Sequence, residues 1–465
     1  MGHSSDATRA ARRSLARRLE LPYVGEVPLD LDLTRRDILK YAGYGSLAAF
    51  LAACGTSSSA GPTGITATGG TVTIGSNHSD PAEKRGIEAI NAAFAQANGG
   101  TKVKMNTVDH GTFQNQIVQY LQGTPEDVFT WFSGHRMRFF AEKGLVAPID
   151  DVWSAVKSNF TDAFAESVKG NDGHFYGVPV DYYPWAVFYR PSVFQAHNYT
   201  VPTNWEDFKA LAKKMQKDGL IPIAFADSDG WPAQGTFDIL NLRLNGYDFH
   251  TQLLTGKQKF TDSKVTDVFK KWAEITPYYN RGFAGMKWED GATLLLRKTA
   301  GMTMFGLFLS QLFTNPADLA DLDFFPFPDM GTSYDAEKAL DAPIDIMMLS
   351  KKSPTLSSNR GQANAYLEYW AKGSAQLLMY KQNPGAIPPA NDTDASGYPS
   401  LTKKAVQIIS SAKRITQFFD RDSRPDFSGT QGMQSFLLRF LANPTADTTS
   451  LQKDMQSFWD SLGPE

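Results

Sequence analysis

Residues 71–131 decide the fold of this chain; they read TVTIGSNHSD PAEKRGIEAI NAAFAQANGG TKVKMNTVDH GTFQNQIVQY LQGTPEDVFT W. Three short apolar or alternating runs are typical of strands: 71–75, 102–108 and 127–131. Two runs with apolar residues at helical spacing predict helices: 80–98 and 113–122. This β-α-β-α-β order predicts a doubly wound, mainly parallel α/β sheet.

The same pattern restarts further along the chain. A helical pattern over 203–218 precedes a strand-like run over 221–225, which predicts a second α/β unit. In sheets of this kind, ligands bind at the carboxyl ends of the strands. The loops at 76–79 and 131–135 are therefore expected on the binding edge.

The first 53 residues are predicted to be an export signal and not part of the fold. Residues 34–40, TRRDILK, contain Arg35 and Arg36 and look like a twin-arginine export motif, and LAACG at 51–55 resembles a lipobox. In that interpretation Cys54 carries a lipid, and the Gly/Ser/Thr-rich residues 54–70 form a flexible tether. We therefore expect an extracytoplasmic protein, exported by the twin-arginine route and anchored to the outer face of the cell membrane.

Composition excludes several classes of protein. Of the 465 residues, 42% are hydrophobic and 20% are charged, which is enough apolar material for a large core. The net charge of −3 gives no basic field for nucleic acid. The single cysteine excludes an intramolecular disulfide and a cysteine-based zinc cluster.

Several stretches, in order along the chain, resemble the carbohydrate class of extracellular solute-binding proteins, the group that includes maltose-binding protein. They are TVTI at 71–74, PEDVFTW at 125–131, GLVAPIDD at 144–151, YGVPV at 176–180, FYR at 188–190, PTNWEDF at 202–208 and AGMTMFG at 300–306. The resemblance implies a periplasmic-binding-protein-like fold: two doubly wound α/β lobes, a multi-segment hinge and a ligand cleft between the lobes. It implies that residues 71–182 and 306–345 form lobe 1, and that 183–305 and 346–465 form lobe 2.

The resemblance also implies a function. The chain is expected to be the substrate-binding subunit of an ABC importer, which captures a carbohydrate, expected to be an oligosaccharide, by aromatic stacking and hinge closure. Its partners would be the sugar and the membrane permease subunits, and we expect a monomer without cofactor. Two alternatives stay open: the same fold binding another solute, such as a phosphorylated or amino-substituted metabolite, and a secreted, lipid-anchored glycoside hydrolase.

A sugar offers apolar C–H faces and a rim of hydroxyls, so a binding site needs flat aromatic rings and planar polar groups. The predicted aromatic contacts are Trp131, Tyr182, Tyr183, Trp185, Trp231, Trp288 and Phe419. The predicted polar contacts are Asn77, His78, Ser133, Asp345 and Arg421, with Asp80, Glu289 and Asp290 as further candidates. Leu307 and Phe308 follow Gly306 where many members of the family carry a polar residue or Trp, which predicts an apolar wall.

Enzyme motifs are absent from the sequence. There is no Gly-x-Ser-x-Gly elbow, no P-loop and no His-Glu-x-x-His, and the histidines lack metal-ligand spacing. We therefore predict a binding protein without a metal. A glycosidase carboxylate pair stays open, because the separation of two carboxylates cannot be read from a sequence.

Overall fold

A computed structural model describes residues 69–463 of the chain. The predicted export signal with Arg35 and Arg36, and the lipid-attachment site at Cys54, lie outside the described residues. The strands are β1 (Thr71–Ser76), β2 (Lys102–Thr107), β3 (Val128–Phe132), β4 (Gly177–Tyr182), β5 (Trp185–Tyr189), β6 (Ile221–Ala224), β7 (Ala300–Gly306), β8 (Asp323–Phe325), β9 (Ala339–Asp341), β10 (Ile344–Leu349) and β11 (Arg414–Thr416).

Half of the ten helices in the first part of the described chain directly follow a strand. The ten helices are α1 (Pro81–Ala97), α2 (His110–Gln122), α3 (His135–Glu142), α4 (Asp150–Val156), α5 (Asp162–Ser167), α6 (Pro191–His197), α7 (Trp205–Lys217), α8 (Trp231–Leu254), α9 (Ser263–Ala273) and α10 (Trp288–Leu296). The remaining α-helices are α11 (Pro316–Ala320), α12 (Leu356–Trp370), α13 (Gly373–Gln382), α14 (Ser400–Ser411), α15 (Phe419–Asp422), α16 (Pro425–Ser428), α17 (Met433–Ala442) and α18 (Thr449–Ser461). Short 3₁₀ turns lie at Lys157–Asn159, Thr276–Tyr278, Phe283–Gly285, Leu307–Leu312 and Ser333–Glu337. Among residues 69–463, no helix combines the length and the apolar composition that a membrane crossing requires.

The first lobe is built on a five-stranded sheet with the order β2-β1-β3-β10-β4. β1 runs parallel to β2 and β3, whereas β10 runs antiparallel to β3 and β4. The predicted strands and the helix α1 are confirmed in this lobe. α2 begins at His110, earlier than predicted, because the side chain of Asp109 accepts a hydrogen bond from the Thr112 N–H and caps the helix.

The second lobe is built on a four-stranded sheet with the order β6-β7-β5-β8. β7 lies between β6 and β5 and is buried at every position. α8 packs across this lobe and is interrupted at Gly246, whose φ of +82° lies in the left-handed region that suits glycine. The two sheets confirm the predicted α/β fold with two lobes.

The predicted lobe boundaries are wrong in the second half of the chain. Residues 306–345 were expected in lobe 1, but β8 pairs with β5 in the second sheet, and Phe324 of β8 packs on Phe188. Residues 346–465 were expected in lobe 2, but β10 completes the first sheet, and α12 and α13 add Leu367 and Met379 to the core of that lobe. Apolar burial accompanies both assignments: β10 lies between β3 and β4 of the first sheet, and β8 lies at the edge of the second sheet with Phe324 and Phe325 buried in the core of that lobe.

Candidate functional site

A cavity of about 250 Å³ lies between the two lobes, and side chains of both lobes line it. The first lobe contributes the loop after β1, the start of α2 and the end of β4. The second lobe contributes β5, the start of α8, the start of α10 and the turn after β7. The remaining wall comes from the end of β3, the start of β10, the segment after α13 and the C-terminal segment 417–424.

The first-lobe wall begins at Asn77 in the loop after β1. The Asn77 backbone N–H donates to Thr130 Oγ1 at 2.9 Å, and the Thr130 hydroxyl donates to Asn77 Oδ1 at 2.5 Å. His78 follows, with its Nδ1 3.1 Å from Glu83 Oε2. Burial would lower the pKa of His78, but attraction and hydrogen bonding to Glu83, with weaker attraction from Asp345 and Asp181, raise it to about 9. His78 and Glu83 are therefore an ion pair at neutral pH.

Carboxyl groups of the two lobes face each other across the cavity. Burial, with the carboxylates of Glu83 and Glu289, raises the pKa of Asp80 to about 8. Asp80 belongs to the first lobe and Glu289 to the second, where burial also raises the pKa of Glu289. Gln311 of the second lobe donates to Asp80 Oδ2 at 3.4 Å. Burial, with the neighbouring Asp345, raises the pKa of Asp181 well above its usual range.

The second-lobe wall is aromatic. Trp185 and Trp231 meet edge to face with ring centroids 6.2 Å apart, and Trp231 meets Phe308 in the same way at 5.7 Å. Trp288 stands perpendicular to Phe308 at 5.0 Å. The mutually perpendicular rings keep one another from rotating and turn ring faces in different directions. Phe308 provides the apolar wall that the sequence predicted after β7.

Arg421 joins the two lobes at the back of the cavity. Its guanidinium forms an ion pair with Asp345 of β10 and donates to the Tyr183 hydroxyl at 2.8 Å. It also lies over the Phe132 ring, 4.1 Å from the centroid. Burial alone would lower the pKa of Arg421, but attraction to the Asp345 carboxylate and the hydrogen bond to it raise the pKa above its usual value. The side chain is therefore fixed and charged.

The segment that carries Arg421 contacts both lobes. Ser133 donates to Gln417 Oε1 at 3.3 Å, and the His135 N–H donates to Asp422 Oδ1 at 2.6 Å. On the other side, the Phe419 N–H donates to Asp238 Oδ2 at 2.7 Å. Gly134 has a φ of +84°, and a Cβ there would meet the side chains of Gln417 and Asp422 at 2.4 Å. Glycine is therefore needed for the segment to approach this loop.

Four cavity residues carry a buried polar atom that has no hydrogen-bond partner within the described protein. These atoms are Trp185 Nε1, Glu289 Oε2, Asp420 Oδ1 and Arg421 Nε. An unmet buried donor or acceptor costs about 1–3 kcal/mol. The set contains both donors and acceptors, which suits a ligand with many hydroxyls. Within residues 69–463, no group of His, Cys, Asp or Glu could hold a metal ion.

The structure brings eight of the predicted contact residues to the cavity: Asn77, His78, Tyr183, Trp185, Trp231, Trp288, Asp345 and Arg421. Of the further polar candidates, Asp80 and Glu289 also line it, whereas Asp290 does not: its carboxylate accepts a hydrogen bond from the Lys287 N–H at 3.2 Å at the start of α10. Contact of the lining residues with a ligand stays a prediction.

Four predicted residues lie elsewhere, and each has a local reason. Trp131 is 1% exposed and packs on Phe140 at 5.7 Å in the core of the first lobe. Ser133 is fully buried against Gln417, as described above. Tyr182 packs on Phe164 at 5.2 Å, away from the cavity. Phe419 is 0% exposed in the core of the second lobe.

Sequence reasoning missed further cavity residues: Glu83, Asp109, His110, Phe132, Asp181, Asp229, Lys287, Asn383, Phe418 and Asp420. One of them, Phe132, follows from strand geometry. Successive side chains of a strand point to opposite faces, so Phe132 reaches the cavity because its neighbour Trp131 points into the core. Phe418 comes directly before α15 and lines the cavity, whereas Phe419 is the first residue of α15 and lies in the core of the second lobe. Asn383 follows α13, and no local pattern identifies it.

Comparison with known proteins gives a consistent result. The family model described as bacterial extracellular solute-binding protein matches residues 78–376. An uncharacterized ABC transporter extracellular-binding protein of Pyrococcus horikoshii is 25% identical over 71% of this chain and 74% of its own length. The alpha-glucosides-binding periplasmic protein AglE of Rhizobium meliloti is 24% identical over 81% of this chain and 84% of its own.

Solved structures include a more similar protein. The bacterial solute receptor AcbH is 42% identical, with a TM-score of 0.80 over 84% of this chain and 99% of its own. It is described as having an exclusive substrate preference for β-D-galactopyranose. A chitin oligosaccharide binding protein shares the fold, with a TM-score of 0.73 and 22% identity over 84% of this chain and 98% of its own.

Proposed function

The chain belongs to the bacterial extracellular solute-binding proteins, and we propose that its cavity captures a carbohydrate for uptake through an ABC importer. The membership confirms the resemblance seen in the sequence. The observation that carries the proposal is the cavity itself, which has an aromatic wall from one lobe and a hydrogen-bonding wall from the other. The two walls match the two kinds of surface that a pyranose presents, an apolar C–H face and a rim of hydroxyls.

We propose a single sugar ring as the ligand, with β-galactopyranose as the first candidate. Cavities for drug-sized ligands measure roughly 300–1,000 Å³. The cavity here, at about 250 Å³, is smaller. The preference described for AcbH, which is 42% identical to this chain, supports the same choice. The sequence led us to expect an oligosaccharide, and this proposal replaces it with a monosaccharide.

Capture would proceed by closure of the lobes over the sugar. A ligand shifts a conformational equilibrium only by its differential affinity for the two states, so it must contact both lobes in the closed one. Trp231 and Trp288 of the second lobe would cover an apolar face of the ring. Asn77 of the first lobe, with Arg421 and Glu289, would bind hydroxyls.

The charges of the cavity count against an anionic solute. Eight lining residues carry a carboxyl group, of which Asp80 and Asp181 hold their proton at neutral pH because burial raises their pKa. The cationic lining residues are Lys287, Arg421 and His78, and His78 is paired with Glu83. Arg421 is already paired with Asp345. A sugar phosphate or a uronic acid would meet net repulsion. The excess of carboxyl groups favours an amino-substituted sugar as the second candidate ligand.

We propose that the protein binds without catalysis, as the comparisons with binding proteins support. The residual candidate for a glycosidase pair is Asp80 with Glu289, whose carboxyl groups face each other across the cavity. Incubation with a nitrophenyl galactoside tests this point. Release of nitrophenol that Glu289→Gln abolishes would establish the hydrolase instead.

The location and the anchor are also proposals. We propose export by the twin-arginine signal at Arg35 and Arg36, a lipid at Cys54 and action as a monomer beside the permease. A Cys54→Ser variant should appear in the soluble extracytoplasmic fraction, whereas the unchanged protein should sediment with membranes. Equal partition of the two would refute the anchor.

A ligand panel tests the proposed function. We would titrate the protein with galactose, glucose, lactose, galactosamine and galacturonate, and follow binding by calorimetry and by melting temperature. Galactose at 100 times its Kd should stabilise the protein by about 2.7 kcal/mol. Galacturonate should give no shift. A panel in which no sugar raises the melting temperature would refute the carbohydrate proposal.

A further inference from the structure

A chain of side-chain hydrogen bonds runs behind the first-lobe wall and ends at the cavity. It starts at Arg136 of α3, which is 2% exposed. Arg136 Nη1 donates to Gln114 Oε1 at 3.1 Å, and Gln114 Nε2 lies 2.7 Å from His110 Nε2. His110 Nδ1 lies 3.4 Å from Asn77 Nδ2. His110 and Asn77 both line the cavity.

Arg136 determines which way the amide of Gln114 points. A guanidinium has only donors, so the Gln114 atom that faces it must be the oxygen. The amide nitrogen therefore faces His110. Because that nitrogen carries only donors, it must donate to His110 Nε2, which must accept. In a neutral ring the proton then lies on Nδ1.

His110 is neutral for a reason visible in the same wall. Burial lowers its pKa, and the positive charge of Arg421 lowers it further. The tautomer therefore follows from the hydrogen bond to Gln114. The ring presents an Nδ1–H donor on the side of Asn77.

The amide of Asn77 is oriented by Thr130. The Thr130 oxygen accepts from the Asn77 backbone N–H, so its own hydroxyl proton is available to donate to Asn77 Oδ1. The Asn77 amide nitrogen is thereby turned toward His110. Two donors, Asn77 Nδ2 and His110 Nδ1, thus lie 3.4 Å apart without an acceptor between them.

We propose that Asn77 Nδ2–H and His110 Nδ1–H together bind one oxygen of the sugar, which acts as the acceptor of both bonds. Gln114 and Arg136 are positioning residues, because they set the tautomer of His110 without lining the cavity. The inference rests on the proposed function, since it identifies His110 as a specificity-determining residue of the same site. The acceptor is the ring oxygen or a hydroxyl oxygen.

The pairing gives the sugar a defined orientation. Many other polar groups of the wall are carboxyl groups, which accept hydrogen bonds from hydroxyls when they are ionised. The two donors, in contrast, can bind only an oxygen that accepts hydrogen bonds through its lone pairs. A sugar that lacks the matching oxygen leaves both donors unpaired in a partly buried wall, which is a larger loss than that of one contact.

Nitrogen NMR on the ligand-free protein tests the tautomer directly. With ¹⁵N-labelled histidine, the two ring nitrogens of His110 give different shifts according to which one carries the proton. We expect the proton on Nδ1. A Gln114→Met variant should lose this preference, because it removes the donor to Nε2. A proton on Nε2 in the unchanged protein would overturn the proposal.

Binding measurements test the donor pair. His110→Phe keeps a ring in place and removes the donor, and should weaken galactose binding roughly tenfold. His174→Gln, an exposed histidine that pairs with Asp150 on the first lobe, is the matched control and should leave the Kd unchanged. If the partner is a hydroxyl, the deoxygalactose that lacks it should bind the unchanged protein weakly, and His110→Phe should not weaken its binding further. If the partner is the ring oxygen, 5-thiogalactose should behave in this way and no deoxygalactose should.

The donor pair and the proposed function can be refuted separately. Unchanged galactose affinity in His110→Phe would overturn the donor pair while leaving the proposed function intact. A protein that binds no sugar at all would refute the proposed function. The tautomer, measured without ligand, would then still support or contradict the hydrogen-bond assignment.

Discussion

Replacement of Arg421 by Met should destabilise the protein strongly, because it leaves Asp345 as an unpaired charge. Both side chains of the pair are less than 10% exposed. Removal of one partner of a buried ion pair costs about 3–5 kcal/mol. This loss of stability includes the hydrogen bond from Arg421 to the Tyr183 hydroxyl. It also includes the contact of the guanidinium with the Phe132 ring, although the Met side chain restores part of that packing.

The assay is urea unfolding at neutral pH, followed by tryptophan fluorescence, with the unfolding slope m compared between variants to detect separate unfolding of the lobes. A double variant, Arg421→Met with Asp345→Asn, should regain most of the loss, because the buried charge is then gone. The matched control is Arg439→Met, which breaks an ion pair with Asp454 in which both side chains are about half exposed. The control should cost no more than about 1 kcal/mol.

Two results would refute this reasoning. The first is a cost for Arg421→Met no larger than that for Arg439→Met, which would show that solvent screens Asp345 despite its burial. The second is a double variant no more stable than Arg421→Met alone. In that case the loss would come from packing and not from the uncompensated charge of Asp345.

Three further predictions concern the cavity and its surroundings. Trp231→Ala should weaken galactose binding at least tenfold, or about 1.4 kcal/mol, because it removes a ring from the aromatic wall; calorimetry measures the change, and an equal Kd would remove Trp231 from the site. Trp131→Phe should cost roughly 1–3 kcal/mol of stability and leave the Kd unchanged, because Trp131 lies in the core; a large loss of affinity without loss of stability would contradict that position. Asp80→Asn should raise the melting temperature at about pH 8 and change it little near about pH 4. The folded protein holds the Asp80 proton up to a pKa of about 8, whereas the unfolded chain releases it near 3.8, so stability falls as pH rises between these values. A stabilisation by Asp80→Asn that is the same at both pH values would contradict this origin.

The elements of secondary structure could be predicted because their signals are local. α1 follows from Pro81 at its start and from the apolar residues at helical spacing. The failure at Trp131 has an equally local cause. A strand buried on both faces shows no alternation of apolar and polar residues, so the sequence could not tell which of Trp131 and Phe132 faces the cavity.

Trp231 shows where a local signal was informative. It stands between Gly230 and Pro232, without an apolar partner nearby in the sequence, and the structure places it in the aromatic wall. Flanking Gly and Pro are typical of a loop, whereas Trp231 is the first residue of α8, and Gly230 precedes it with a φ of +75°. The start of a helix at the edge of a lobe positions the ring as well as a loop would.

The sequence by itself determined the α/β class, the family and the aromatic and polar character of the site, because periodicity and motifs are read over short distances. Only the tertiary structure decided which strand joins which lobe and which side chains meet. Arg421 lies 76 residues from Asp345 and 238 from Tyr183, yet it contacts both. Contacts over such separations depend on how whole lobes pack. For the same reason the tautomer of His110 has no signal in the sequence: Gln114 of the same helix donates to the ring, but Arg136 of α3 determines which way the Gln114 amide points.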